Sequence, residues 1–96
     1  MEREKITPKN ILHHELTGLF LEVVYSANHS QQGFSGTVVD ETRQTLTIDT
    51  GHGEKNLAKD QCIFLFTLPS GERVRVEGSL LVARPEDRIK KRPAKW

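Results

Sequence analysis

The side chains that could break bonds are few, and they do not form a recognisable catalytic set. Asp40 and Glu41 are neighbours on a predicted strand, so they point to opposite faces and cannot act as a carboxylate pair. Cys62 is the single cysteine; it lies in an apolar strand pattern and is expected in the core. No histidine has the spacing to cysteine, or to a second histidine on a helix, that a metal site requires; the four are His13, His14, His29 and His52. The sequence therefore predicts no nucleophilic, acid–base or metal mechanism carried by this chain alone, and no bound cofactor.

Basic side chains have a clearer chemical use, because arginine and lysine bind phosphate groups. Arg73 and Arg75 alternate with valines in a predicted strand and therefore share its polar face. Glu72 and Glu77 lie close by, so a solvated face with local ion pairs is the alternative to a phosphate-binding one. The candidate RNA-binding residues are Lys55, Lys59, Arg73, Arg75, Arg84, Arg88, Lys90, Lys91 and Arg92.

The distribution of charge is more informative than the net charge of +1. Residues 15–83 carry five basic and nine acidic groups, whereas residues 84–96 carry six basic and two acidic groups. An acidic body with a basic C-terminal arm suits a polyanion such as RNA. The alternative is a solvated tail that only aids solubility.

Length and composition indicate one small domain. The chain has 96 residues, of which 35% are hydrophobic, so a compact closed barrel is one way to bury a sufficient core. A single cysteine indicates a reducing compartment, and no apolar run has the length of a membrane span. The sequence predicts a cytoplasmic protein.

Short alternating apolar segments separated by turn residues predict an all-β body. Leu46 and Ile48 share one face of a clearly alternating segment, and Gly36 is expected to mark a bend or bulge. Phe64 and Phe66 also share a face, and core packing is favoured over base stacking for them. The predicted strands span residues 19–26, 34–41, 45–50, 55–58, 62–68, 72–78 and 79–83. Short strands and small size favour an antiparallel barrel.

Both ends of the chain are predicted to be helical. Thr7 and Pro8 resemble a helix start, and Gly18 a stop, which predicts a helix of about three turns that is marginal in isolation. Pro85 begins a second candidate helix, with acidic residues first and lysines last, as the helix dipole favours. The predicted organisation is an N-terminal extension and helix over 1–18, a barrel over 19–84, and a basic helix or tail over 85–96.

Three segments together resemble the archaeal ribonuclease P protein component 1. They are NILHHELTGL at residues 10–19, GTVVDETRQTL at residues 36–46, and GSLLVARPEDRIKK at residues 78–91. They occur in the family's order and nearly span the chain. The DET turn at 40–42 and the RPEDR corner at 84–88 are fairly specific in combination.

The resemblance implies a strongly bent, antiparallel Sm-like barrel that serves as a subunit of ribonuclease P. In that enzyme the RNA, with its magnesium, is the catalyst that removes the 5′ leader of precursor tRNA. The implied partners are the ribonuclease P RNA, a zinc-binding protein subunit that forms a heterodimer with this chain, other ribonuclease P proteins and, through the complex, precursor tRNA. The expected docking residues for the zinc-binding subunit are Ile11, Leu12, Leu16 and Leu19.

Two other functional classes stay open at this point. One is a protein-interaction barrel, or a general RNA-binding module of another ribonucleoprotein. The other is an independent nuclease, which the lack of a catalytic set in the sequence makes the weaker hypothesis.

Overall fold

The computed structural model describes residues 6–8 and 10–82 of the chain. The predictions for residues 83–96, including the second helix, lie outside this range. This described part of the chain contains six strands: β1 (Phe20–Ser26), β2 (Ser35–Glu41), β3 (Thr45–Asp49), β4 (Glu54–Ala58), β5 (Cys62–Thr67) and β6 (Arg73–Glu77). Short 3-10 helices span Ile11–His13, His29–Gln31, Lys59–Gln61 and Gly78–Leu81.

The strands form one bent antiparallel sheet in the order β4-β3-β2-β1-β5-β6. The register shifts between Val23 and Tyr25 on β1 and between Val38 and Asp40 on β2, and such bulges bend a sheet. The all-β prediction is therefore confirmed. None of the helices in the described residues is long and apolar enough to cross a membrane.

Gly36 serves a different purpose from the one that the sequence suggested. It does not lie at either register shift; instead, a Cβ atom on it would collide with the carbonyl oxygen of Asp49. Glycine is needed here because the backbone at the end of β3 comes too close for a side chain.

The buried hydrophobic residues form one core cluster. Phe64 and Phe66 are fully buried, with ring centroids 5.9 Å apart, so the prediction that they belong to the core is confirmed. Leu46 and Ile48 are also fully buried, as their alternation predicted. Cys62 lies in the same cluster.

The predicted N-terminal helix is reduced to the single 3-10 turn Ile11–His13. The side chain of Asn10 accepts a hydrogen bond from the backbone N–H of Thr7 at 2.7 Å, and His14 is already extended. The N–H of Gly18 then donates to the carbonyl of Val38 at 2.8 Å, which ties the segment to β2. Tertiary packing thus overrides a local pattern that was too short to sustain a helix.

The last predicted strand, over residues 79–83, is also wrong within the described residues. Gly78–Leu81 forms a 3-10 helix that packs against the helix Lys59–Gln61. Contact is so close that a Cβ atom on Gly78 would collide with the carbonyl oxygen of Lys59. Leu81 is fully buried, so this 3-10 helix brings its side chain into the core.

Candidate nucleic-acid interface

Two predicted RNA-binding arginines share the outer face of the edge strand β6. Arg73 and Arg75 are exposed, whereas Val76 on the opposite face is buried, as the alternation of the strand predicted. Arg73 lies 3.7 Å from the carboxylate of Glu22, with side-chain exposures of 59% and 43%. An ion pair this exposed contributes little to stability and leaves the guanidinium open to another anion.

The register places an aromatic side chain in the same cross-strand row as Arg73. Thr67 on β5 pairs with both Phe20 and Arg73, so all three side chains project from the same face. Phe20 is 46% exposed. An arginine and an exposed aromatic ring on one face, with a single strand between them, offer both a phosphate contact and a stacking platform.

The sequence analysis missed Phe20, although a signal for it was present. Leu21 and Val23 are buried, so Phe20 must face outward by the two-residue period of a strand. Base stacking was considered only for Phe64 and Phe66, and both lie in the core. We call Phe20, Arg73 and Arg75 the outer-face cluster.

Lys55 lies apart from this cluster. It is exposed on β4, and four strands separate β4 from β6 in the sheet. Its ammonium group lies 5.5 Å from the centroid of the Phe34 ring, a cation–π distance. Lys55 pairs with the buried Ile48 and so projects from the core-side face of the sheet, whereas Arg73 and Arg75 project from the outer face. The register therefore gives no support to one surface shared with the arginines, and the assignment of Lys55 as an RNA contact stays a prediction.

Lys59 is fully buried and cannot contact RNA in this structure, which corrects its assignment as an RNA-binding residue. Its ammonium group forms an ion pair with Glu41 at 2.7 Å. The same group donates hydrogen bonds to the carbonyl oxygens of Thr42 at 2.7 Å, Arg43 at 3.2 Å and Leu81 at 2.9 Å. A buried charge requires such partners, because desolvation without them is very costly.

The remaining predicted RNA contacts follow the last described residue. Arg84, Arg88, Lys90, Lys91 and Arg92 lie outside the described residues, and their assignment stays a prediction.

The expected docking residues for the zinc-binding subunit do not form an exposed apolar surface. Ile11, Leu16 and Leu19 are buried in the core, and Leu12 is partly buried against it. Without the predicted helix, these side chains do not line up on a free face. Instead, they pack into the core and hold the N-terminal segment on the sheet. Their expected position on an exposed helix is therefore wrong. Binding of a protein partner to this segment stays a prediction.

The groups with possible reactivity do not converge in the described part of the chain. Burial raises the pKa of the Cys62 thiol; a hydrogen bond with Ser26 opposes this shift, and the charge of Asp60 adds to it. A buried thiol with a raised pKa is a poor nucleophile. Among residues 6–8 and 10–82, no three His, Cys, Asp or Glu side chains are grouped so that they could hold a metal ion.

Comparison with known proteins identifies close relatives over nearly the whole chain. The sequence model of the family described as ribonuclease P/MRP, subunit p29, matches residues 9–91. The ribonuclease P protein component 1 of Methanosphaera stadtmanae is 49% identical, over 91% of this chain and 94% of that protein. Its counterpart in Methanothermobacter thermautotrophicus is 50% identical, over 91% and 95%. The solved structure of Mth11, a homologue of the human RNase P protein Rpp29, is 48% identical, with a TM-score of 0.58 over 79% of this chain and 99% of that one.

Proposed function

The chain belongs to the ribonuclease P/MRP subunit p29 family, and we propose that it is an RNA-binding protein subunit of ribonuclease P. It supports the catalytic RNA in the endonucleolytic removal of the 5′ leader from precursor tRNA. The chain itself carries out no bond breaking and binds no cofactor; the magnesium belongs to the RNA.

The outer-face cluster is the observation that supports this proposal from the structure. Arg73 and Arg75 project from the outer face of β6, and Phe20 lies in the same cross-strand row as Arg73. Arginines on such a scaffold neutralise phosphates at fixed positions, and this reduces the repulsion that opposes RNA folding. The basic sequence over residues 84–92 extends the same chemistry.

We further propose that the working form is a heterodimer with a zinc-binding ribonuclease P protein in the cytoplasm, assembled with the RNA and the other protein subunits. The N-terminal segment that carries Leu12 is the proposed contact with that protein. Leu12→Asp tests this role, because Leu12 is only partly buried, whereas Ile11 is a core residue.

The decisive experiment measures precursor-tRNA cleavage against magnesium concentration, with the RNA alone and with the RNA plus this chain and its protein partner. The chain is expected to lower the magnesium requirement. The double variant Arg73→Gln/Arg75→Gln is expected to lose part of that effect while remaining folded. An unchanged magnesium requirement on addition of the wild-type complex would contradict the proposal.

A protein-interaction barrel is the second candidate function. Exposed apolar side chains favour it, since Tyr25, Val39 and Leu80 are all more than a third exposed. In that case RNA affinity would be absent, or it would survive deletion of residues 84–96 together with both β6 substitutions.

A further inference from the structure

Strand β5 is apolar on both of its faces. Phe64 and Phe66 point into the core, whereas Ile63 and Leu65 point to the outer face and are not members of the core cluster that the described residues form. A strand with one solvated face normally alternates apolar and polar side chains, and a strand that is apolar throughout is typically covered on both sides. The outer face of β5 therefore has the composition of a contact surface.

The neighbouring strand β1 adds two aromatic rings to this face. Phe20 pairs with Thr67 and Tyr25 pairs with Ile63, so both rings project from the outer face. They are 46% and 48% exposed. Their partners on β5 are four residues apart, which separates the two aromatic rows by about 13 Å. The two rings are therefore separate platforms on one sheet face, and RNA-binding sheets use exposed aromatic rings to stack about two or three splayed bases.

The strand on the other side of β5 supplies the cations. Arg73 and Arg75 lie opposite Thr67 and Leu65, and the two arginines are about 7 Å apart along β6. Arg75 is exposed and forms no ion pair within the described part of the chain. Two strand spacings put the backbones of Phe20 and Arg73 about 10 Å apart. A nucleotide whose base stacks on the ring can therefore have a phosphate within reach of the guanidinium group.

The charge of this face favours unpaired RNA over a duplex. Glu22 and Glu77 share the face with Arg73 and Arg75, so two negative groups cancel two positive ones. Binding to a duplex depends mainly on the neutralisation of many phosphates, whereas binding to a single strand draws much of its affinity from stacking on aromatic rings. The bases of a duplex are already stacked on one another, and only unpaired bases can be splayed onto a protein ring.

We infer that the outer face of β1, β5 and β6 binds an unpaired stretch of RNA of about two or three nucleotides. Phe20 and Tyr25 stack on its bases, and Arg73 and Arg75 contact its phosphates. The apolar strip of β5 lies between the aromatic and the basic strand and excludes water from the contact. This inference rests on the proposed function: it names the ligand class of the outer-face cluster and adds Tyr25 to the binding residues.

The first test measures the affinity of the full chain for two RNA probes over a range of salt concentrations. One probe is a short oligouridylate, which has no self-complementary pairing, and the other is an RNA duplex with the same number of nucleotides. Phe20→Leu is expected to weaken oligouridylate binding about ten-fold and to leave the salt slope unchanged, because a stacking contact is lost but no phosphate contact. Phe20→Trp keeps an aromatic ring and is expected to keep the wild-type affinity. Tyr25→Leu is expected to behave like Phe20→Leu.

The control for this test is Val39→Ala, which shortens an exposed apolar side chain on β2. Oligouridylate binding that is absent or no tighter than duplex binding would overturn the inference, as would equal affinities of Phe20→Leu and Val39→Ala. Either result leaves the proposed function standing if the chain binds the ribonuclease P RNA. No binding of that RNA by the wild-type chain with its protein partner would overturn both. If Phe20→Leu weakens binding of the protein partner but not of RNA, the face is a protein interface and the inference is wrong.

The second test locates the contact within the assembled complex. Thiouridine-substituted ribonuclease P RNA is assembled with the full chain and its protein partner and irradiated, and the crosslinked peptides are identified by mass spectrometry. Crosslinks are expected within residues 20–25, from uridines that chemical probing shows to be unpaired. Crosslinks confined to other segments of the chain, or formed only from paired uridines, would contradict the inference.

Discussion

Lys55 and Lys59 are four residues apart in sequence, yet they lie in opposite environments. Lys55 is exposed on β4 above the Phe34 ring, whereas Lys59 is fully buried and paired with Glu41. The same contrast separates the outer-face cluster from the contacts of the buried Lys59 ammonium group. A cationic residue type therefore does not reveal whether its charge is used to bind a ligand or to join parts of the fold.

The largest expected effect concerns the stability that the buried Lys59 ammonium group provides. Lys59→Met leaves the Glu41 carboxylate and three backbone carbonyls without the buried ammonium group, which is expected to lower the free energy of unfolding by about 3–5 kcal/mol. Urea denaturation monitored by circular dichroism measures this. Lys55→Met is the matched control and is expected to stay within about 0.5 kcal/mol of the wild type. An equal loss of unfolding free energy in the two variants would contradict the conclusion that only Lys59 has a structural role.

A double variant sharpens the same comparison. Glu41→Met combined with Lys59→Met removes both members of the buried pair, so no carboxylate remains without its cation. The double variant is expected to be more stable than Lys59→Met alone and less stable than the wild type, since the carbonyls still lack their donor. A double variant no more stable than the single one would show that the ion pair is not the source of the effect.

The intermediate effect concerns RNA affinity at the outer face. Arg75→Gln is expected to weaken binding to the ribonuclease P RNA several-fold and to reduce the salt slope by about 0.7–0.9, with an unchanged melting temperature. Filter binding at several salt concentrations measures this. Lys55→Gln removes one exposed charge at the opposite edge of the sheet and is expected to have less effect. A larger loss of RNA affinity in Lys55→Gln than in Arg75→Gln would indicate that RNA binds at the β4 edge instead.

The smallest expected effect comes from Glu22. Its carboxylate lies 3.7 Å from Arg73 and competes with an incoming phosphate for that guanidinium. Glu22→Gln is expected to strengthen RNA binding by about two-fold, the magnitude of an exposed ion pair. Thr37→Val, a change on the same outer face without a charge, is the control. Weaker binding by Glu22→Gln would mean that the ion pair orients Arg73 rather than competing for it.

Alternation predicted much of the sheet, because it reports directly on which face of a strand is buried. The segment Thr45–Asp49 shows this, since Leu46 and Ile48 are both in the core. The termini were predicted less well. The same residues could satisfy a local helix or strand pattern, and contacts with distant segments decided between them: Gly18 bonds to β2, and Gly78 packs on Lys59.

In the candidate site, too, local sequence patterns predicted the direction of strand side chains but not contacts between distant segments. The outward direction of Arg73 and Arg75 follows from the valines between them, and Phe20 could have been found in the same way. The burial of Lys59 could not, because its carboxylate partner is 18 residues away and one of its carbonyl partners is 22 residues away. Nothing in the local pattern around Lys59 marks it as different from an exposed lysine.

The position of Leu81 has a consequence for how the chain can be divided. All the described acceptors of the Lys59 ammonium group precede residue 82, while six of the fourteen basic residues follow it. A chain ending just after residue 82 therefore keeps every described acceptor of that ammonium group and loses the basic sequence, whereas one ending before Gly78 loses the carbonyl of Leu81. The described contacts of the buried charge and six of the basic residues are thus encoded in successive stretches of the gene, with the boundary within a few codons.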